Sequence, residues 1–120
     1  MAKVESFEEL RIWGEARSLV NEIYRLLDSS HTGSKDWGFR SQIQQAGISI
    51  MNNIAEGFER KSDKDFARFL DIAKASSGEV RSMLYVGEDL GYVSAEEANK
   101  LRGMSESISK GIATLIKHLR

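Results

Sequence analysis

The chain of 120 residues contains no proline, and its apolar residues recur at intervals of three and four along most of its length. Proline interrupts helices more strongly than any other residue, because it lacks the backbone N–H and clashes with the preceding turn. Apolar residues three and four apart share one face of a helix, whereas a half-buried strand needs alternation by twos, which never persists here. The pattern therefore predicts an all-α protein.

Short polar residues and glycines divide this pattern into segments. Ser6 followed by Glu9, and Ser94 followed by Glu97, have the spacing of a capping box, and Gly91 stands where a left-handed C-terminal cap belongs. These signals predict helices over about residues 7–28, 36–58, 63–90 and 95–119. Long helices with short connections favour an antiparallel, up-down-up-down four-helix bundle, which forms a single domain over residues 1–120.

The composition excludes several classes of function. There is no cysteine, so disulfides, thiolate metal sites and a cysteine nucleophile are ruled out. The two histidines, His31 in a loop and His118 two residues from the end, lie outside the periodic apolar core, so no metal, cofactor or catalytic residue is expected. No apolar run has the length of a transmembrane helix, and the first residues lack the layout of a signal peptide. We therefore expect a non-enzymatic, cytoplasmic protein without a membrane partner.

Polar residues on the apolar second segment are the clearest candidate site. Asn53 and Glu56 are three apart and share a face, and a polar edge on the same segment includes Gln42, Gln44, Gln45 and Ser49. One interpretation is that these side chains face solvent or bond to neighbouring helices, with Glu56 held by an arginine such as Arg40, Arg68 or Arg81. The other is a ligand or partner pocket, and the sequence leaves both open.

Two groups of cations are candidates for contact with nucleic acid. The first group lies where the second segment meets the third and consists of Arg60, Lys61, Lys64 and Arg68. The second group is in the last segment and consists of Lys100, Arg102, Lys110 and Lys117. The net charge of the chain is only −1, and acidic residues interleave with the first group, which is typical of a solvated surface. Any RNA site therefore has to be a local patch.

The first two segments carry more apolar surface than one bundle is expected to hide. The first segment has two apolar stripes, and the second has no ionisable residue between Arg40 and Glu56. A helix of a small bundle usually buries a single face, so the excess predicts self-association and a second helix covered on more than one side. The expected contact residues between copies are Ile12, Leu19, Ile48 and Met51.

Several motifs together resemble one family. They are Phe7-Glu-Glu-Leu-Arg-Ile-Trp13, Ser41-Gln-Ile43, Asn53-Ile-Ala-Glu-Gly57, Phe66-Ala-Arg-Phe-Leu70 and Leu90-Gly-Tyr92. Over about residues 7–118 the chain is similar to the four-helix bundle proteins encoded by intervening sequences in bacterial 23S ribosomal RNA genes, sometimes labelled S23 ribosomal proteins. The most specific match is Asn53 to Gly57, whereas the family is commonly basic where this chain has Gln44 and Gln45.

The resemblance implies an antiparallel bundle that assembles as a homopentamer and has no established enzymatic activity. A related bundle, the accessory protein of diversity-generating retroelements, is pentameric and basic and engages a reverse transcriptase and nucleic acid. Two hypotheses follow for this chain. The first is a non-enzymatic assembly module whose homo-oligomer presents a composite surface to a partner, and the alternative is an accessory protein that binds RNA through the two groups of cations.

Overall fold

A computed structural model describes residues 4–120 of the protein, and over that range the chain forms four α-helices. They are α1 (Arg11–Ser29), α2 (Trp37–Phe58), α3 (Asp63–Asp89) and α4 (Ala95–Leu119), with short 3-10 turns at Phe7–Glu9 and Gly33–Lys35. Each helix packs against the preceding one, and α1 also packs against α4, in a bundle that measures 47 × 22 × 20 Å. The predicted all-α four-helix bundle is confirmed.

Serine side chains cap the first turns of the last two helices, and the sequence predicts the cap of α4 from its capping box. At α4 the Ser94 N–H donates to Glu97 Oε1 (2.9 Å) while the Glu97 N–H donates to Ser94 Oγ (3.0 Å), so two backbone donors are satisfied reciprocally. At α3 the Asp65 N–H donates to Ser62 Oγ (3.1 Å). These bonds occur within four residues, which is why they can be inferred from sequence alone.

The end of α3 depends on a glycine in the left-handed region. Gly91 has φ +75°, and the Tyr92 N–H donates to the Gly87 carbonyl oxygen at 2.8 Å. This is the bond of a Schellman motif, in which a residue with positive φ turns the chain back over the last helical carbonyls. The turn places Tyr92 directly beneath the end of the bundle, next to the start of α2.

The start of α1 differs from the prediction. The Ser6 N–H does donate to the Glu9 carboxylate (3.0 Å), but this pair caps only the short turn over Phe7–Glu9. Leu10 then adopts an extended conformation, with φ −76° and ψ 124°, and α1 begins at Arg11. An isolated capping box therefore sets where a turn begins without deciding how far the helix continues.

The core lies on the axis of the bundle and is built from all four helices. Its largest fully buried apolar side chains are Leu19, Ile23, Ile43, Ile50, Ile54, Leu70, Leu101, Ile108 and Ile112. Within residues 4–120 every helix is too short or too polar to cross a bilayer. Residues 1–3 lie outside the described range. They belong to the predicted domain of residues 1–120 and to the first residues on which the signal-peptide expectation depends.

One expectation about the apolar surplus is wrong. Ile12 and Leu19, predicted to meet another copy, are only 5% and 0% exposed, because the stripe that contains them faces the centre of the bundle. The second helix does pack against both α1 and α3, but its outer side, with Ser41, Gln45 and Asn52, is exposed. The uncharged surface of α2 is therefore uncovered in a single copy.

Candidate interaction surfaces

Asn53 belongs to a hydrogen-bonded contact between α2 and α3. Its Nδ2 donates to the carbonyl oxygen of Ser49 (2.8 Å) and to Ser49 Oγ (3.0 Å). Ser49 Oγ in turn lies 2.8 Å from Ser76 Oγ on α3. The small serine side chains let the two helices approach closely, and their hydroxyls satisfy each other in the contact.

Gly57 allows the end of α2 to pass close to the first turns of α3. A Cβ atom at this position would lie 2.7 Å from Phe69 Cβ and 3.0 Å from Phe66 Cδ1. Real Cβ atoms do not approach other carbons as closely as the first of these distances, so any larger residue forces the helices apart. The glycine of the Asn-Ile-Ala-Glu-Gly run thus has a packing role.

Glu56 is exposed and pairs with Arg60 at 3.2 Å, one helical turn further along the chain. The expected partners Arg40, Arg68 and Arg81 do not hold it, because Arg60 lies at the i+4 position and is nearer. An exposed pair of this kind stabilises a protein by at most about 1 kcal/mol. Within residues 4–120 no group of three or more histidine, aspartate or glutamate side chains is placed to hold a metal ion.

The first group of cations surrounds one aromatic ring. The guanidinium groups of Arg60 and Arg68 each lie 4.7 Å from the centre of the Phe69 ring. Both are also close to a carboxylate, since Arg68 lies 3.6 Å from Asp65 and Arg60 pairs with Glu56 as described above. Lys61 and Lys64 are exposed beside them. Half of this group is therefore locally neutralised.

Arg102 is directed back into the α3–α4 interface. Its side chain is 13% exposed, its Nη1 lies 3.0 Å from Glu88 Oε1, and its guanidinium stacks 4.2 Å from the ring centre of Tyr85. An arginine that is stacked and paired in this way is held in a fixed position between two helices. Its charge is not available to a phosphate unless the interface opens.

The other cations of α4 lie on two sides of the helix, because Lys110 and Lys117 are seven residues apart and share a side on which Lys100 does not lie. Lys100 Nζ is 3.8 Å from Glu22 on α1, while Lys110 and Lys117 are exposed to solvent. Glu106, which is also exposed, lies one turn before Lys110 on the outer side of the same helix. The four predicted cations therefore do not form one continuous positive face in a single copy.

A polar groove runs between α2 and α3 and encloses about 390 Å³. We call it the α2–α3 groove; it is lined by Gly38, Ser41, Gln42, Gln45, Ala46, Ser49, Ser76 and Glu79. Gln42 Nε2 donates to the Glu79 carboxylate across it at 3.2 Å, and Glu79 is the one charged residue of this lining. The sequence indicated the polar edge on α2 but not the α3 wall, because helix pairing cannot be read from one helix.

The outer face of α2 is exposed and uncharged. We define it by Trp37, Ser41, Gln45, Ile48 and Asn52, which follow one another at intervals of three and four. Trp37 is 73% exposed, which is unusual for the largest apolar side chain. Ile48 and Met51, two of the predicted contact residues, are partly exposed on or beside this face.

A hydrogen bond closes the end of the bundle at which α2 begins. The Tyr92 hydroxyl donates to Asp36 Oδ2 at 2.5 Å, and the Phe39 N–H donates to Asp36 Oδ1 at 3.1 Å. The bond from Tyr92, followed by the bond from Phe39, lowers the pKa of Asp36 below its usual 3.8. The same bond to Asp36, followed by burial, raises the pKa of Tyr92 above its usual 10.0. Sequence reasoning missed this pair, whose members are 56 positions apart.

The chain is similar to known proteins over most of its length. Residues 8–114 match the profile of the family described as "23S rRNA-intervening sequence protein". A crystal structure of a protein with unknown function from the S23 ribosomal protein family of Bacteroides thetaiotaomicron matches with a TM-score of 0.82. The two chains are 24% identical, and the match covers 88% of this chain and 98% of the other, so it shows the fold. No curated protein matches.

Proposed function

We propose that this chain, which belongs to the 23S rRNA-intervening sequence protein family, is a non-enzymatic cytoplasmic interaction module. It assembles with copies of itself, as a pentamer by resemblance, and the oligomer presents a composite surface to a partner protein. The family is described without reference to a reaction, and the similar Bacteroides protein is described as one of unknown function.

The outer face of α2 is the observation that carries this proposal. From Ser41 to Ala55 the helix has no ionisable residue, and yet Ser41, Gln45 and Asn52 are exposed in a single copy. The outer sides of helices in small proteins are normally charged, because water solvates charged groups well. Cores of protein interfaces are depleted of charged residues, since burying an unpaired ion costs several kcal/mol. A second copy can cover this face without that cost.

Sedimentation velocity of the purified protein at micromolar concentration tests the assembly. The expected result is an oligomer, and a single species with the mass of one chain overturns the proposal. Asn52→Arg puts a charge on the outer face of α2, and we expect it to shift the protein towards smaller species. Asn99→Arg is the matched control, because Asn99 is also exposed but lies on α4.

RNA binding is the alternative, and the exposure of Lys61, Lys64, Lys110 and Lys117 favours it. None of the four is in an ion pair within residues 4–120, and assembly repeats each of them in every copy. A filter-binding titration at two salt concentrations distinguishes the two functions. Binding through phosphates must weaken steeply as salt rises, whereas an absence of binding at low salt removes the alternative.

A further inference from the structure

Half of the lysine and arginine side chains of residues 4–120 lie in an ion pair, and the other half lie in none. The unpaired ones are Arg17, Lys35, Lys61, Lys64, Lys74, Arg81, Lys110 and Lys117. A paired cation has to exchange its carboxylate for a new ligand, whereas an unpaired one attracts an anion with its full charge. The positions of the unpaired side chains therefore decide which surface of the described chain attracts anions.

Four of the unpaired cations lie together on the outer side of α3 and α4, which we call the α3–α4 face. Two contacts between the helices mark its ends. At one end the Arg102 guanidinium lies 4.2 Å from the centre of the Tyr85 ring, and at the other Arg120 Nη2 lies 2.8 Å from Asp71 Oδ2. Residues that follow these at steps of three and four share the same side of each helix. Between the two contacts they are Lys74, Gly78, Arg81, Glu106, Lys110, Ala113 and Lys117.

The contact between α3 and α4 fixes the heights of the cations along the bundle. Ser77 Oγ donates to the Ser105 carbonyl oxygen (2.8 Å) and accepts from Ser109 Oγ (2.9 Å), so Ser77 lies level with the residues between those two. The two helices run antiparallel, as the contacts at the two ends of the α3–α4 face show. A step back along α3 is therefore matched by a step forward along α4, which places Lys74 level with Lys110.

The other two cations extend this level into a row. Arg81 lies seven residues after Lys74 on α3, and Lys117 lies seven residues after Lys110 on α4. Seven residues of helix span about 10 Å at a rise of 1.5 Å per residue. Because the helices are antiparallel, the two steps go in opposite directions, so the row is about 20 Å long.

The row is positive, although the chain as a whole has a net charge of −1. Lys74, Lys110 and Lys117 are exposed, and Arg81 is partly exposed. Glu106 is the one acidic residue of the α3–α4 face that is in no ion pair within residues 4–120, so four positive charges stand against one negative charge. A local patch of this kind is what the binding of a polyanion requires when the whole chain has no positive field.

Tyr85 stands at one end of the row. Its side chain is 58% exposed although Arg102 covers one side of the ring, so the other side is open to solvent. A ring that a guanidinium already holds in place is a rigid platform for a second flat group. Nucleic-acid bases stack on such rings whatever their sequence. An acidic protein segment can pair with the cations alone, whereas a polynucleotide uses the cations and the ring together, which favours a polynucleotide.

We infer that a single strand of RNA lies along the α3–α4 face, with phosphates at Lys74, Arg81, Lys110 and Lys117 and a base stacked on Tyr85. The inference rests on the RNA-binding alternative of the proposed function and names its surface. It replaces the two groups of cations predicted from the sequence with one row, which keeps two residues of the second group and none of the first.

The salt dependence of binding counts the phosphate contacts. Filter binding of a labelled oligouridylate to the whole chain, at several salt concentrations, measures it. Each phosphate contact on a single strand adds about −0.7 to the slope of the logarithm of the association constant against the logarithm of salt, so four contacts give about −2.8. Lys74→Gln/Lys117→Gln removes two contacts and should reduce the slope to about −1.4. Arg17→Gln/Lys35→Gln removes the same charge from exposed positions elsewhere and should leave the slope unchanged.

Tyr85→Leu tests the stacked base. It should weaken binding about 5- to 150-fold at fixed salt and leave the slope unchanged, because stacking on the ring releases no ion. Tyr85→Phe keeps the ring and should bind as the wild type does. Glu106→Gln removes the one unpaired negative charge of the α3–α4 face and should tighten binding at least about twofold at low salt. Circular dichroism checks that every variant keeps its helices.

Three results overturn the inference, and they differ in what else they remove. An absence of oligouridylate binding at low salt removes the RNA alternative as well and leaves the proposed self-assembly intact. If Lys61→Gln/Lys64→Gln halves the slope and Lys74→Gln/Lys117→Gln does not, the protein binds RNA but not on the α3–α4 face. If polyglutamate binds as tightly as oligouridylate, or Tyr85→Leu has no effect, the face takes acidic chains without the use of a base.

Discussion

Replacement of Gly57 by alanine should destabilise the protein, although alanine is the better helix former. The added Cβ would meet Phe69 Cβ at 2.7 Å, Phe66 Cδ1 at 3.0 Å and the Phe66 carbonyl oxygen at 3.3 Å. The first of these atoms is attached directly to the backbone of α3, and the last belongs to that backbone, so neither can rotate away. The start of α3 must therefore move relative to α2.

The expected size follows from two opposing terms. Overpacking of a close helix contact costs about 1–3 kcal/mol. Replacing glycine by alanine inside a helix stabilises the folded state by up to about 1 kcal/mol, and by less here because Gly57 is next to the last residue of α2. The net expectation is a loss of about 1–2 kcal/mol in the free energy of unfolding.

Gly78 supplies the matched control. It lies in the middle of α3, and a Cβ there meets nothing within 4 Å, so Gly78→Ala should stabilise the chain by about 0.5–1 kcal/mol. Urea unfolding followed by circular dichroism measures both variants, at one fixed protein concentration because assembly shifts apparent stability. The two variants should shift the urea midpoint in opposite directions, each by its change in free energy divided by a slope of about 1–3 kcal/mol/M. If Gly57→Ala is stabilising by as much as Gly78→Ala, the close α2–α3 contact does not limit this position.

Two further variants test contacts between distant parts of the chain. Tyr92→Phe should lower the free energy of unfolding at neutral pH, and the difference from wild type should shrink as the pH falls through and below 3.8, because the lowered pKa of Asp36 stabilises the folded state only while its carboxylate is ionised. Unfolding curves at several pH values measure this difference, and a difference that is constant with pH contradicts the prediction. Arg102→Ala should lower the free energy of unfolding by about 1–3 kcal/mol, because it leaves Glu88 unpaired and Tyr85 uncovered. Lys110→Ala on the same helix is the control and should change this free energy by at most about 0.5 kcal/mol. Equal effects of the two variants in urea unfolding mean that the Arg102 contacts contribute nothing.

The candidate sites were harder to predict than the helices. One interpretation of the sequence paired Glu56 with Arg40, Arg68 or Arg81, but the structure pairs it with Arg60, one turn further along the chain. It also assigned Arg102 to a nucleic-acid surface, although the residue is held between Glu88 and Tyr85. A charge can be read from sequence, but the partner that neutralises it depends on which helices are neighbours and at what height.

Apart from the start of α1, the sequence by itself determined the helices of this protein, the caps at Ser94 and Gly91, and its family. Capping boxes, the glycine with positive φ at Gly91 and the three-and-four periodicity act within a few residues, so each is complete in a short stretch of chain. Only the tertiary structure decided which apolar stripe of α1 is buried, and it left the uncharged side of α2 open. Burial is a property of neighbours: Ile12 and Leu19 are hidden because other helices lie over them, and no local pattern contains that information.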